Sequence, residues 1–421
     1  MQLRIKRYQL IPHSTEFDSY GEKYRFWAFV LGLSFPGYHI GLNTMITSII
    51  GSNSIDTLLA YLILIGSLFM AIVKTPRSQW REYFQVPIFI IIACFAILTI
   101  SSWINPENAL VLKRIKTTFL QTACWGVLAA NLIDRTTLYQ RAFKLIGYIV
   151  FWFLVYEPFA PQSTLFIEVN NSWGTSGYLT WGYRMLIAAI LLLYTAMNSK
   201  RFTDWVFAII AVSELAVIGN RGSLAAIAVF IMLYVIFCTE TKRKYKNITI
   251  LLCVIILVYS ALRPENLMHL EGVLEQFGIR SRNLSKLLDS TMTNSGRDSG
   301  YDIALNRIKE GNWFGLGIGG DQVLVGNYPH NILLELMLQY GNIFGCLLFG
   351  ILAWNTVSIF GKIRNKQYKA IFVVFFSLSM VKLWVSSTYW YELWFWSYLI
   401  ILIKTRKYSA FYCEERIFDT E

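Results

Sequence analysis

Charge is scarce along this chain, and histidine is scarcer. Of its 421 residues only 15% are Asp, Glu, Lys or Arg and four are histidine, against 55% hydrophobic and 16% aromatic. So little charge excludes an ordinary soluble domain, which could not cover that much apolar surface. Cysteine is sparse too: Cys94, Cys124, Cys238, Cys253 and Cys346 fall in apolar runs and Cys413 in the C-terminal tail. They are scattered and none pairs with histidine at ligand spacing, so neither a disulfide framework nor a metal site is expected. No Asp-X-Asp occurs, and no repeat relates the two halves. Tyr8 to Lys23 is polar, so no cleaved signal peptide is expected, and the first apolar run should itself target the membrane.

What the chain has is apolar runs, many of them near the roughly 20 residues an α-helix needs to cross about 30 Å of hydrocarbon. They lie at 26-49, 57-73, 86-104, 115-133, 143-160, 182-197, 205-219, 222-238, 248-262, 330-360, 368-387 and 389-403. The expected fold is an all-α integral membrane protein of about twelve transmembrane helices. It forms a single polytopic domain over 1-421, with one long loop, 263-329, between spans nine and ten. Pro36 and Gly37 predict a kink or break in the first span. With the N-terminus inside, 25 lysines and arginines fall in cytoplasmic segments and five in short outer ones: Lys113, Arg114, Lys116, Arg184 and Arg221. Short basic loops stay in the cytoplasm, so both termini are expected inside. The net charge of +12 then reports topology, and no nucleic-acid-binding pattern accompanies it.

Three polar residues collect on the predicted outer face. Arg221, in VIGNRGSLAAIAVF, follows an almost absent connection between spans seven and eight; it reads either as a snorkelling span-end arginine or as part of a site. Arg297, in TNSGRDSGYDIALNRIKEGNWFG, falls in the first turn of a short helix. Ser295 with Asp298 suggests a capping box, Gly311 a stop, and Tyr301, Ala304, Leu305 and Ile308 an apolar face. Its alternative is a solvated surface arginine. His330, in NYPHNILLELMLQYG, opens span ten after Pro329, where a helix N-terminus favours an anion; the plainer reading is an interfacial histidine capping the helix. Two guanidinium groups suit phosphate oxygens, and a ring beside them stays neutral and able to accept a proton. Together they make a general base beside a phosphate cradle.

Other features read more plainly. FGLGIGGDQ, Phe314 to Gln322, has the glycines of a turn before span ten but not the spacing of a nucleotide loop. Lys382, inside span eleven, either adds charge to the site or pairs with Glu392 or Glu335. Glu335 lies about 1.4 turns from His330 and is not expected to be the base. Leu270 to Leu288 has roughly helical apolar spacing and suits an interfacial helix, either a packed element or a lid. YWYELWFWSY, Tyr389 to Tyr398, suggests an interfacial aromatic belt.

NRGS after a span, then SGR, FGLG and PHNILLELMLQYGNIFG resemble the bacterial O-antigen polymerase and O-antigen ligase superfamily. The resemblance is most specific over about 205 to 350; the first 200 residues match only as a row of spans. It implies a GT-C-like membrane glycosyltransferase with an undecaprenyl-diphosphate-linked oligosaccharide as donor and, for a polymerase, as acceptor too. The site would lie on the outer face of the bacterial cytoplasmic membrane. The family's essential arginine maps onto Arg221, its loop arginine onto Arg297 and its proposed catalytic histidine onto His330. His330 would deprotonate an acceptor hydroxyl while the arginines hold the diphosphate, with inversion at the anomeric carbon. No cofactor or metal is expected, the arginines standing in for the ion. A polymerase building O-antigen or capsular polysaccharide is the favoured member, with a chain-length regulator as an expected partner. A ligase delivering glycan to the core of lipopolysaccharide is the alternative; the short tail after span twelve speaks against protein-glycosylating relatives. A lipid-linked oligosaccharide transporter is the reading from another class, but transporters bind substrate near the midplane between repeats.

Overall fold

The computed structural model describes residues 20–50, 55–156, 168–169, 172–173, 177–199, 201–217, 221–239, 297–363 and 365–414, with a few isolated positions besides. Helix dominates them. The first half runs through α1 Tyr20–Ile50, α2 Ile55–Lys74, α3 Arg77–Ile104, α4 over 109–130, α5 Thr136–Leu154, α6 Gly177–Ser199, α7 Phe202–Val217 and α8 Arg221–Cys238. The second half comprises α9 Arg297–Lys309, α10 Gly320–Val325, α11 Ile332–Tyr340, α12 Asn342–Lys362, α13 Lys366–Val385 and α14 Leu393–Glu414. The strand content of the described residues is one two-residue antiparallel pair, β1 Glu168–Val169 with β2 Ser172–Trp173.

Among the described residues six helices are long and apolar enough to cross a membrane: Thr57–Lys74, Arg77–Ile104, Leu179–Ser199, Arg221–Cys238, Asn342–Lys362 and Lys366–Val385. Their outward faces are apolar. On α12, Trp354 is 74% exposed and Val357 67%, a stripe that water would not tolerate and hydrocarbon would. At the other extreme α6 is enclosed, with Met185 to Leu192 buried among α5, α7, α8 and α13.

Each apolar run read from the sequence overlaps a helix except the ninth, 248-262, which lies outside the described residues. Four expectations need correction or lie out of reach. α1 continues through Pro36 without a break, and at Gly37 it lies directly on Val150 of α5, where a Cβ would stand 2.7 Å from the valine side chain. The tenth run is two helices, α11 and α12, separated at Gly341. The aromatic segment Tyr389 to Tyr398 is core instead of a belt: Trp390 and Trp396 pack edge-on against Phe119, and Tyr398 is fully buried. The segment Leu270 to Leu288 lies almost entirely outside the described residues.

Ion pairs and polar contacts mark the two ends of the bundle. At one end Arg135 pairs with Glu22 at 2.6 Å, Lys404 with Asp134 at 2.6 Å and Lys144 with Asp204 at 3.0 Å. Arg25, in the same cluster, lies 4.0 Å above the Tyr83 ring. The helix pairs then fix what meets at the opposite end. Asn198, at the tail of α6, accepts from Tyr234 at the tail of α8, so these two helices run parallel. Tyr183, near the start of α6, lies 4.8 Å from Lys382 near the end of α13, while Lys369 near the start of α13 lies 6.0 Å above Phe237 of α8. α8 is therefore antiparallel to α13. Sixteen residues at 1.5 Å each bring Arg221 level with Val385.

Candidate functional site at one end of the bundle

His330 occupies an unusual backbone position. Its φ is 56°, one of two positive values at non-glycine residues among those described, a left-handed conformation that costs an ordinary residue roughly 1–2 kcal/mol. The reason lies one residue on. Asn331, not His330, is the N-cap of α11, its Oδ1 accepting from Leu333 N at 3.0 Å and Leu334 N at 3.2 Å. The chain must turn sharply to bring that extended asparagine into place, and His330 makes the turn. Its ring lies against Tyr328 with centroids 4.5 Å apart, and its carbonyl accepts from the Tyr301 hydroxyl at 3.4 Å.

Tyr301 belongs to α9, the helix that Arg297 opens. Arg297 precedes Tyr301 by four residues on the same helix. The helix stops as expected at Gly311, whose φ is 95°. Its inward face is Tyr301, Ala304 and Ile308; Leu305, expected there, is instead 41% exposed. The capping partner Ser295 lies outside the described residues.

The glycine-rich stretch does structural work on α11. Leu316 N donates to Leu338 O at 2.8 Å and Gly317 N to Gln339 O at 3.1 Å, satisfying carbonyls that a helix terminus leaves without partners. Close approach is what the glycines provide: a Cβ on Gly315 would stand 2.3 Å from Gln339 O, and one on Gly341 2.1 Å from Trp313 O. The same contact interrupts the tenth run, since the chain at Gly341 adopts φ 90° and ψ 161° and cannot continue as helix.

α11 is tied to the α13–α14 turn by buried polar groups. Thr388 donates to Glu335, Tyr389 donates to Gln339 Oε1 at 2.7 Å, and Tyr340 and Tyr389 share a hydroxyl contact at 3.0 Å. Gln339 Nε2 donates to Asp321 Oδ1 at 2.8 Å and to Glu335 Oε1 at 3.3 Å, bridging two buried carboxyl groups. Burial pushes the Asp321 carboxyl up to about 7. Lys382 pairs with Glu392 at 2.6 Å, the first of the partners its sequence position offered, and Ser387 donates to the same carboxylate. Ser387 is the second non-glycine residue with positive φ, at 66°, so both strained positions of the described chain fall beside this network.

The sequence-predicted residues thus gather at one end. His330 touches α9, the helix that Arg297 opens, through Tyr301, α11 joins the end of α13 through Thr388 and Tyr389, and Arg221 stands level with that end of α13. Sequence reasoning did not reach Asp321, Gln339, Thr388 or Arg114, which touches Gln322 and Tyr391 here. Their one advance signal was Arg114, among the five short-segment basic residues that run against the charge asymmetry. No protein-family model, curated protein or solved structure matches this chain.

Proposed function

We propose that the chain is a GT-C-like membrane glycosyltransferase with twelve spans and both termini in the cytoplasm. It would polymerise undecaprenyl-diphosphate-linked oligosaccharides into O-antigen or capsular polysaccharide at the outer face of the bacterial cytoplasmic membrane. One observation supports the reading: His330 touches the helix that Arg297 opens through Tyr301, α11 is tied to the end of α13 by the Thr388–Glu335 and Tyr389–Gln339 bonds, and the antiparallel packing of α8 on α13 brings Arg221 level with that same end. The end that holds Arg135, Lys144 and Lys404 would face the cytoplasm.

In this mechanism His330 takes the proton from an acceptor sugar hydroxyl, whose oxygen attacks the anomeric carbon as the bond to the diphosphate breaks. Arg221 and Arg297 stabilise the charge gathering on the departing lipid diphosphate, so no metal ion is required. Backbone strain at His330 supports a positioned ring, because residues held in rare conformations cluster at sites where geometry matters.

The test supplies purified protein in detergent with lipid-linked repeat units and follows products by mass analysis. A ladder of repeats accompanied by free undecaprenyl diphosphate is expected. Transfer to lipopolysaccharide core instead would make the chain a ligase. Absence of any sugar transfer, with substrate moving only between two compartments, would replace the enzyme reading with a transporter.

A further inference from the structure

Arg114 belongs to the part of the chain that the family resemblance describes only as spans, yet it stands inside the polar cluster. It rides on α4, whose entry hairpin is fixed to the glycine-rich stretch by Asn108 Nδ2 donating to Leu316 O at 2.9 Å. Leu112 and Ile115 are fully buried on the inward side of that helix. Arg114 is exposed between them in sequence, its Nη2 donating to Gln322 Oε1 at 2.7 Å and its Nε to the Tyr391 hydroxyl at 3.2 Å.

The chemistry of those two partners is informative, because both are neutral. Arg135 meets a carboxylate, Glu22, and Arg25, whose partners Thr75 and Gln79 are also neutral, is buried over the Tyr83 ring, whereas Arg114 is exposed. Arg114 has no carboxylate partner among the described residues, although Asp321 adjoins Gln322 and Glu392 adjoins Tyr391. Gln322 and Tyr391 both accept along its Nε–Nη2 edge, which fixes the plane of the fork. Among the described residues Nη1 takes no hydrogen-bond partner, which leaves a donor of the exposed fork for an anion oxygen, a group that arginine binds well. Through Tyr391 the guanidinium adjoins the turn whose Thr388 reaches Glu335, and Arg221 stands level with that turn.

We infer that Arg114 is a third guanidinium of the anion site, contributed by the first half of the chain, which grips the diphosphate of the lipid-linked donor. This rests on the proposed function and extends its clamp. Gln322 and Tyr391 act as the positioning pair that aims it.

Binding of three probes to the purified full-length chain in detergent tests the assignment: undecaprenyl diphosphate, undecaprenyl monophosphate and undecaprenol, which carries no phosphate. Arg114→Ala is expected to weaken the diphosphate about tenfold, the loss of one charge-assisted contact, and to leave undecaprenol unchanged. Arg114→Lys should recover part of the loss. An unchanged diphosphate affinity in Arg114→Ala would overturn the inference, as would equal weakening of all three probes, the mark of a structural pin. Arg114→Gln keeps the stem and serves if the alanine variant fails to fold. Should the wild-type chain not prefer the diphosphate to undecaprenol, the glycosyltransferase reading fails with it. Should Arg221→Ala lose that preference while Arg114→Ala keeps it, Arg114 alone is wrongly assigned.

Discussion

The two ends of the bundle handle charge in opposite ways. At the end of Arg135, Lys404 and Lys144, each of these cations has a carboxylate within 3.0 Å. At the other end Arg114 and Arg221 have no carboxylate among the described residues, while Asp321 and Glu335 are buried among neutral hydrogen-bonding groups. Among the described residues the ion pairs there are Lys382 with Glu392 and, on the surface of α9, Arg307 with Glu310 at 3.9 Å. Ion pairing at the first end neutralises charge so that helices can meet near a membrane surface. Cations left without a carboxylate, while the nearby Asp321 and Glu335 are buried, are what an anionic ligand requires. On the proposed function, fold maintenance and ligand chemistry are separated along the bundle axis.

Substitutions can break that contrast if it is wrong. The largest effect is expected at the second end: His330→Ala should lower turnover at least about 100-fold, the usual range for a lost general base. Arg221→Ala should fall in a similar range. Neither should shift the melting temperature downward, and a large loss of stability in both variants would make these residues part of the scaffold. At the first end the pattern should invert. Lys144→Ala leaves the Asp204 carboxylate, whose side chain is 1% exposed, with only Tyr148 and Ser199 as donors. A destabilisation of about 2 kcal/mol is expected in denaturant titration, with turnover per folded molecule unchanged.

The smallest effect concerns pH. Because burial holds Asp321 up to about 7, the fold favours its neutral acid. Stability is then greatest below the ordinary carboxyl value of 3.8 and declines as pH rises toward about 7. Asp321→Asn keeps an oxygen to accept from Gln339 and should flatten that decline. Parallel melting curves for the two proteins between pH 5 and pH 8 would show that the carboxyl is already ionised in the fold.

Where helices fall was legible because hydropathy is a local property: the runs at 57-73 and 368-387 needed no knowledge of neighbours. The interruption of the tenth run was not, since Gly341 departs from helix to receive the Trp313 carbonyl, a contact between segments far apart in the local pattern. Burial of Trp390 and Trp396 escaped for the same reason, their partner Phe119 lying some 270 residues earlier. His330 drew notice by its place after Pro329, but the helix cap fell to Asn331, whose short side chain reaches two backbone amides. Arg114 was visible only as a breach of the charge asymmetry. Assigning it to the polar cluster required Gln322 and Tyr391, which lie 208 and 277 positions away.

The bend at His330 has a consequence for variation of this chain. A left-handed position suits glycine or asparagine, and an imidazole there is a standing disadvantage that heat tolerance alone would remove. Lineages or laboratory libraries selected only for robustness should drift toward glycine at residue 330, and persistence of the ring under such pressure would be a record of selection on what the ring does.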